Sequence, residues 1–444
     1  MYNDSTPPLI SHAKETASPV QIGRGVAHAN GARPRHKYII LGAGCAGLSL
    51  CWYLLEAGVR DPILILDRKT EFRNDRTWCF WDTEPTPFTH LATHRWPAWT
   101  VRGGNDEAGV RAASPATPYV RLRGGDFYRM VLDRIKAHPN VTVRLGVPIT
   151  GGYRDEPDGV CVPTGAGDCH GEFLFDALAL GSPRFPVARP GDLTFLQQFF
   201  GQVVRTERDV FDPQTVTLMD FSVTSPVTEP DPAIRFMYLL PISPREALVE
   251  NTLLLPTVGG AKDALAPPEN AATGRRAIAA YLSARYDSPA FTVTSEEQGL
   301  IPMTTRDFPL RTGQRTFAIG LAGGAARPSS GYAFLRIQKR CQALALAVTT
   351  GDWKPVDQTF SPPRTAMLDR IFLQAMRQNP GAVPDYFKRM FAHVPPDMLV
   401  RLLSDSASFR DCLGVVRVLP LGDFVRAAAF CVPHLWADKR GGPH

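Results

Sequence analysis

A short apolar strand that runs directly into a glycine-rich turn constrains the fold of this chain more than any other feature. The strand covers residues 38–41, and the turn reads G-x-G-x-x-G with glycines at positions 42, 44 and 47. A second apolar run, residues 63–66, ends in Asp67, 20 residues after Gly47. Strand, glycine turn, helix, strand and acid in this order form the dinucleotide-binding fingerprint of a Rossmann-like domain.

Each residue of the turn has its own expected role. Gly42 allows the tight turn, Gly44 lets the backbone approach a pyrophosphate, and Gly47 permits close packing of helix on strand. The N–H groups at the start of the helix, where Ala46 lies, offer hydrogen bonds and a positive dipole end to phosphates. Asp67 would accept hydrogen bonds from a ribose diol. We therefore predict that these five residues bind a nucleotide.

A second glycine cluster, residues 320–332, also lies between a strand and a helix. Its N–H groups would meet a ribityl chain and the edge of a flavin ring, near Gly324 and Gly331. Two such turns so far apart in sequence suit the extended FAD molecule better than NAD. The alternative is a tight strand–helix connection that uses small residues for packing alone.

The pattern of apolar residues divides the chain into parts and predicts an α/β fold, an α+β two-domain flavoprotein. Residues 1–36 lack periodicity and are predicted to be a disordered leader. Residues 37–185 and 306–362 predict a discontinuous Rossmann-like FAD-binding domain. Residues 186–305 predict a β-rich substrate-binding domain, and residues 363–444 a C-terminal helical region suited to membrane contact.

Composition narrows the class of protein further. The 444 residues, 44% apolar and 21% charged, are those of an ordinary globular protein, and no apolar run approaches the length of a membrane span. The net charge of +6 is mild and no basic run is interleaved with aromatics, so we expect no nucleic-acid partner. The spacing of Cys161, Cys169 and His170 is not that of a zinc site, so no metal is predicted.

Six short motifs resemble those of bacterial lycopene cyclases in order and spacing. With the family pattern in parentheses, they are residues 73–80 (N-x-T-W-x-F), 94–97 (H-x-W-P), 236–241 (F-x-Y-x-L-P), 249–252 (I-E-D-T), 297–302 (E-Q-G-x-L-P) and 328–332 (P-T-T-G-Y). Six motifs in order are far more specific than any one of them. The resemblance covers the chain from about Tyr38 to Leu421.

The resemblance implies a lycopene β-cyclase, an isomerase of the intramolecular lyase type in carotenoid biosynthesis. Such enzymes bind FAD and close the ψ-ends of lycopene, a C40 carotenoid substrate, into β-ionone rings, giving γ-carotene or β-carotene. The net reaction is redox-neutral, yet the family needs reduced FAD, with NAD(P)H as the expected reductant. Arg76, in the first motif, is an expected phosphate or flavin contact, or alternatively part of a surface ion pair.

Ring closure needs a strong acid beside an apolar alkene, and the glutamate of I-E-D-T maps to Glu250. Protonation of the terminal double bond gives a tertiary carbocation, which the next double bond attacks before a ring proton leaves. A carboxyl facing an apolar tunnel loses the solvation of its anion, so its pKa rises and it stays protonated. The alternative is a glutamate on an edge strand that faces water.

Aromatic faces stabilise such a cation without trapping it. The candidates are Trp78, Phe80, Trp81, Trp96, Trp99, Tyr238 and Tyr332. Each of them is alternatively a residue of the core. The reduced flavin would either stabilise the cation as well or receive the departing proton.

A C40 hydrocarbon does not dissolve in water, so we expect a cytoplasmic enzyme that rests on the inner membrane as a peripheral protein. The apolar face at Met367, Leu368 and Ile371 is the predicted contact with the membrane.

Two other classes of protein remain open: an FAD-dependent monooxygenase or halogenase-like oxidoreductase, and a non-catalytic carotenoid or flavin carrier. So does a cyclase with a different ring product. The sequence leaves open the number and type of rings, the base that removes the ring proton, and the oligomeric state.

Overall fold

The computed structural model describes residues 20–22, 35–103, 109–149, 151–222, 233–257, 271–354, 356 and 362–438. The strands in these residues are β1 (Val20–Ile22), β2 (Arg35–Leu41), β3 (Ile63–Asp67), β4 (Thr77–Trp81), β5 (His94–Trp96), β6 (Ala98–Arg102), β7 (Val110–Ala113), β8 (Tyr119–Arg123), β9 (Val141–Leu145), β10 (Arg154–Glu156), β11 (Gly159–Val162), β12 (Cys169–Asp176), β13 (Thr194–Thr206), β14 (Thr215–Asp220), β15 (Ile234–Ser243), β16 (Glu246–Pro256), β17 (Phe291–Thr304) and β18 (Thr316–Ala318). The α-helices are α1 (Cys45–Glu56), α2 (Gly124–Lys136), α3 (Ala271–Tyr286), α4 (Phe334–Thr350), α5 (Pro363–Gln378), α6 (Val383–His393), α7 (Pro396–Leu403), α8 (Phe409–Val418) and α9 (Leu421–Asp438).

The first sheet carries the glycine turn. Its strand order is β1-β9-β3-β2-β12-β11-β10, with β18 also paired to β12. Strand β2 runs parallel to β3 on one side and to β12 on the other. The chain therefore leaves β2 at a point where the strand order reverses, which is where α/β sheets bind ligands. The predicted α/β fold class is confirmed.

Helix α1 is buried because it is apolar on every side. Its residues from Ala46 to Leu55 are all buried, and they pack against α4 and α2. A helix without a polar face belongs in the interior of a protein. The N-terminus of α1 is therefore fixed by the core and has little freedom to move away from the sheet edge.

The second sheet is mostly antiparallel, in the order β17-β13-β16-β15-β14-β6-β7. Alternate residues of its strands face opposite sides, as the period of a strand requires. Val249 packs on the side of α3 with Ile278, whereas Leu248 packs on the other side with the C-terminal helices. The neighbouring Glu250 therefore faces away from α3.

Four strands depart from the boundaries that the sequence predicts. Strand β1 pairs with β9 inside the segment 1–36 that we expected to be a disordered leader, and β2 begins at Arg35. Most other residues of that leader lie outside the described part of the chain. Strands β6 and β7 fall within residues 37–185 but belong to the second sheet. The parallel pairing of β6 with the distant β14 leaves no local signal in the sequence.

The C-terminal helices are joined to the loop before α4 by a buried ion pair. Arg327 is 1% exposed, and its Nη2 lies 2.9 Å from Oδ1 of Asp369 on α5. The hydroxyl of Ser329 donates to the same carboxylate at 2.7 Å. Removing one partner of such a pair leaves an uncompensated buried charge, which is strongly destabilising. Among the described residues, no helix is both long and apolar enough to cross a membrane.

Candidate active site

A cavity of about 1040 Å³ connects the glycine turn to the second sheet and the C-terminal helices. Gly44 and Ala46 line it at the start of α1, and Tyr332 lines it just before α4. Glu250 lines it from β16, and side chains of α5, α6, α8 and α9 also contribute to its wall. One continuous space therefore contacts both predicted glycine clusters and the predicted acid.

The glycine turn has the shape that a pyrophosphate requires. Gly42 has a φ of +99°, and a Cβ at Gly47 would lie 1.9 Å from the carbonyl oxygen of Gly42. Nothing lies within 4 Å of the place where a Cβ of Gly44 would stand. The first N–H groups of a helix have no intrahelical partner. Gly44 is the N-cap of α1, and because it has no side chain it leaves these groups uncapped. This open cradle fits the diphosphate of FAD.

Asp67 lines the cavity beside this turn. Its Oδ2 accepts the N–H of Ala43 at 2.6 Å, and its Oδ1 accepts the N–H of Lys69 at 2.8 Å. A carboxylate has about four acceptor sites, so capacity is left for a ribose diol. Arg76 also lines the cavity, and its Nη1 donates to the carbonyls of Asp75 and Gln298 at 2.6 and 3.1 Å.

Lys69 is a basic residue of this end of the cavity that the sequence did not single out. Its ammonium donates to the carbonyl of Ala43 at 2.9 Å and lies over the rings of Phe72 and Tyr128. Burial lowers the pKa of Lys69, while the charge of Asp67 opposes that shift. Its position two residues after Asp67, the acid predicted to bind a ribose, is the signal that would have pointed to it.

The two glycines predicted in the second cluster lie in different environments. Gly331 lines the cavity with a φ of +72°. Gly324 ends the short 3-10 helix Gly320–Gly323 and is not part of the cavity lining. A Cβ at Gly324 would lie 2.7 Å from the ring of Phe308. The structure thus brings Gly331, but not Gly324, to the wall of the cavity.

Glu250 lies on an inner strand of the second sheet, because β16 pairs with β13 on one side and β15 on the other. It is 8% exposed, and its side chain faces the cavity and not bulk water. Burial raises the pKa of Glu250 well above its ordinary value. The neighbouring Glu297 raises this pKa further, and Arg121 lowers it. These shifts favour the protonated form of the carboxyl, which is the form that a general acid uses.

Glu297 approaches Glu250 across a glycine. Gly201 of β13 pairs with Glu250 of β16 on one side and with Glu297 of β17 on the other. A Cβ on Gly201 would lie 2.8 Å from Cγ of Glu250, so only glycine leaves space for the two carboxyls to hydrogen-bond over it. Thr77 donates its hydroxyl to Oε2 of Glu297 at 2.8 Å. The sequence placed Glu297 in a motif without assigning it a role.

Three of the predicted aromatic residues line the cavity: Trp78, Tyr238 and Tyr332. The hydroxyl of Tyr119 lies between the hydroxyls of two of them, at 3.0 Å from that of Tyr238 and 3.2 Å from that of Tyr332. Burial raises the pKa of each of these three tyrosines, so the phenols stay neutral. Cys79 lies beside them, and burial raises its pKa to about 12.

The other predicted aromatics lie in the packed interior. Phe80 stacks on Phe334 with ring centroids 4.7 Å apart. Trp96 is fully buried, and its Nε1 donates to the carbonyl of Pro241 at 2.9 Å. Trp81 and Trp99 pack edge to face at 5.7 Å. Sequence alone does not separate these core rings from cavity rings, because both kinds occur in the same motifs.

A cluster of possible metal ligands lies away from the cavity. Donor atoms of Glu156, Cys161 and His170 lie within 4.8 Å of one another. Arg154 places its Nη2 3.2 Å from Sγ of Cys161, so a guanidinium already supplies the positive charge at this cluster.

The arrangement of the sheets and helices matches the folds of solved structures that include a reductase-like protein, a flavin-dependent brominase and a monooxygenase. A geranylgeranyl bacteriochlorophyll reductase-like protein from Thermoplasma acidophilum superposes with a TM-score of 0.56 at 11% identity, covering 90% of this chain and 100% of the other. The flavin-dependent brominase Bmp2 gives 0.55 at 17% identity, with coverages of 92% and 100%. A p-nitrophenol 4-monooxygenase from Pseudomonas putida gives 0.53 at 15% identity, with coverages of 90% and 99%. These likenesses establish the fold.

The sequence itself is more specific. The profile described as lycopene cyclase protein matches residues 38–429, and the chain belongs to that family. The resemblance inferred from the six motifs is thus confirmed, and membership supports a carotenoid cyclase. A search of the curated proteins finds no match.

Proposed function

We propose that this protein is a lycopene β-cyclase, which closes the ends of a linear C40 carotene into β-ionone rings by acid catalysis. The observation that carries this proposal is a buried glutamate, Glu250, that faces a large cavity which also reaches the glycine turn. Burial raises the pKa of Glu250 well above its ordinary value, which favours the acid form. An enzyme that protonates an unactivated alkene needs this combination of an acid and an enclosed space. The family match supports the same chemistry.

In the proposed reaction, Glu250 gives its proton to the terminal double bond, whose π electrons form the new C–H bond. The neighbouring double bond then attacks the tertiary cation and forms the ring C–C bond. Loss of one ring proton completes an isomerisation in which no atom or electron is gained or lost. Trp78, Tyr238 and Tyr332 present aromatic rings to this cavity, where they stabilise the carbocation without forming a bond to it.

The residues around the glycine turn fit FAD, with NAD(P)H as the proposed reductant. Gly44 and Ala46 would hold its diphosphate, and Asp67 its ribose. Arg76, which donates to the carbonyl of Gln298, and Gly331 also line the cavity and would contact the flavin end. When bound in its reduced form, FAD supplies negative charge that stabilises a cation, or a site that accepts the departing proton.

The test is the reaction of the purified protein with lycopene in liposomes, without oxygen, with chemically reduced FAD. We expect γ-carotene and β-carotene by chromatography and no net consumption of reductant per ring. A product containing oxygen or halogen, or oxidation of NAD(P)H in proportion to product, would identify a monooxygenase or halogenase instead. An ε-ring product would still identify a cyclase but would change the proposed ring type. Recovery of unchanged lycopene would indicate a carrier.

The substrate's insolubility calls for a membrane-facing entrance, which we place at α8 and α9. Leu421 and Val425 are 71% and 55% exposed, yet both line the cavity. Phe409 and Phe430 are also exposed large apolar residues of these helices. The face of α5 that the sequence predicts as the membrane contact is less exposed. Its Leu368 and Ile371 are half-buried and line the cavity. We therefore propose that the rim of α8 and α9 rests on the bilayer.

Replacing Leu421 and Val425 together by aspartate should weaken membrane binding. Two charges would have to enter the interface in place of apolar side chains, and the negative surface of an anionic bilayer would repel them. We expect the protein to float with anionic liposomes and the double variant to stay in the soluble fraction. Val187→Asp is the matched control, because Val187 is 82% exposed and belongs to neither α8 nor α9. Flotation of the double variant at the control level would exclude α8 and α9 as the docking face.

A further inference from the structure

One row of positions crosses four neighbouring strands of the second sheet. Tyr238 of β15 pairs with Glu250 of β16, which pairs with Gly201 of β13, which in turn pairs with Glu297 of β17. Paired positions in a sheet point to the same side. The two glutamates therefore share one face of the sheet with a single glycine between them.

The two carboxyls differ in their access to water. Glu250 is buried and lines the cavity. Glu297 is only half-buried, on a strand that pairs with β13 alone among the described strands, and its neighbours Glu296 and Gln298 are exposed. Glu297 does not line the cavity. It thus stands between the acid and the solvent.

An acid that protonates an alkene in every turnover must regain a proton each time. A carotene filling the cavity would keep water from Glu250 on the cavity side. We propose, on the basis of the function proposed above, that Glu297 is the proton relay of Glu250. Its carboxylate takes a proton from water, passes it through the shared hydrogen bond to the carboxylate that Glu250 becomes after protonating the alkene, and returns to its ionised form. The ring proton that leaves the cyclised cation neutralises the hydroxide left in the solvent, so each turnover takes up one proton, releases one, and restores both glutamates.

Thr77 and Gly201 allow the two carboxyls of this relay to meet. Thr77 fixes Oε2 of Glu297 with a 2.8 Å hydrogen bond, which leaves Oε1 for its partner. Gly201 leaves the space through which the carboxyls meet. Glu296, the next residue of β17, faces the other side, where it binds Arg275 at 2.6 Å and Gln202 at 2.8 Å.

The groups around Glu250 determine how the relay affects its titration. Glu297 faces it from β17, Arg121 from β8, and the uncharged Cys79 and Tyr238 face it from β4 and β15. The charge of Glu297 raises the pKa of Glu250, and that of Arg121 lowers it. Neutralising Glu297 therefore lowers the pKa of Glu250, so the acid form is lost at a lower pH.

Glu297→Gln tests the proposal, with Glu296→Gln as the matched control on the same strand. We expect kcat for lycopene to fall about tenfold or more in Glu297→Gln only, within the range of proton-transfer contributions. The alkaline limb of its pH profile should move to lower pH, and its solvent deuterium isotope effect should rise. Glu297→Asp, which keeps the charge, should retain the wild-type limb at a reduced kcat.

The outcomes separate the relay from the function on which it rests. Wild-type protein that forms no ring would refute the proposed function. Ring formation with the same kcat and pH limb in Glu297→Gln and Glu296→Gln would refute the relay alone. If Glu297→Gln loses its flavin or its fold, Glu297→Asp decides: a wild-type kcat and isotope effect in that variant would also refute the relay.

Discussion

Glu250→Gln should lower the rate of ring closure by about 1000-fold while leaving flavin binding unchanged. The amide keeps the shape of the acid, so the row Tyr238–Gly201–Glu297 around it is expected to pack as before. It has no acidic proton to give to an alkene, and general acids contribute rate factors of about 10² to 10⁴. Chromatography of the pigment formed per bound flavin measures the loss.

Glu246→Gln is the matched control for this variant. Glu246 lies on the same strand, and its carboxylate pairs with Arg205 near the surface, at 2.7 Å. An exposed ion pair of this kind contributes little to stability, so the control should retain nearly full activity. Product formation by Glu250→Gln at the control rate would remove Glu250 from the mechanism.

The same variant has a second signature in stability. Burial raises the pKa of Glu250 in the folded protein, so the folded state holds a proton that the unfolded chain releases at lower pH. The stabilisation from the neutral carboxyl is present below the unfolded pKa, near 4.3, and is lost as pH rises toward the folded pKa. Glu250→Gln should lack this decline, which urea unfolding at several pH values measures.

The glycine turn was predictable because its whole signal is local. The residues from Tyr38 to Asp67 form one strand–helix–strand unit, and their spacing alone indicates the arrangement that the structure shows. Glu250 was predictable only through its motif, since burial and the neighbouring charge that raise its pKa come from other strands.

The partners of Glu250 were not predictable for the same reason. Gly201 and Glu297 reach it only through the register of three strands, and a shift of one residue would turn each side chain to the opposite face. Tyr119 likewise meets Tyr238 from a different sheet. For Phe80 and Trp96, the residue type is compatible with a core and with a cavity wall, and tertiary packing alone decides between them.

Gly44→Asp should abolish stoichiometric FAD binding without harming the fold. Gly44 is an N-cap with extended backbone (φ −92°, ψ −163°), and aspartate is among the residues favoured there. Nothing within 4 Å obstructs its Cβ. Its carboxylate would, however, stand where the diphosphate approaches. Two like charges about 4 Å apart at an effective dielectric constant near 20 repel by about 4 kcal/mol, or about 1000-fold in affinity.

Gly44→Asn separates this charge effect from simple obstruction. Asparagine has nearly the same shape and is an equally good N-cap, so the apoproteins of both variants should melt at or above the wild-type temperature. Titration of each apoprotein with FAD, followed by flavin fluorescence, should give a much smaller loss of affinity for Gly44→Asn than for Gly44→Asp. Wild-type affinity in Gly44→Asp would mean that the turn does not hold the diphosphate. Equal losses in the two variants would mean that the turn excludes any side chain by size, whatever its charge.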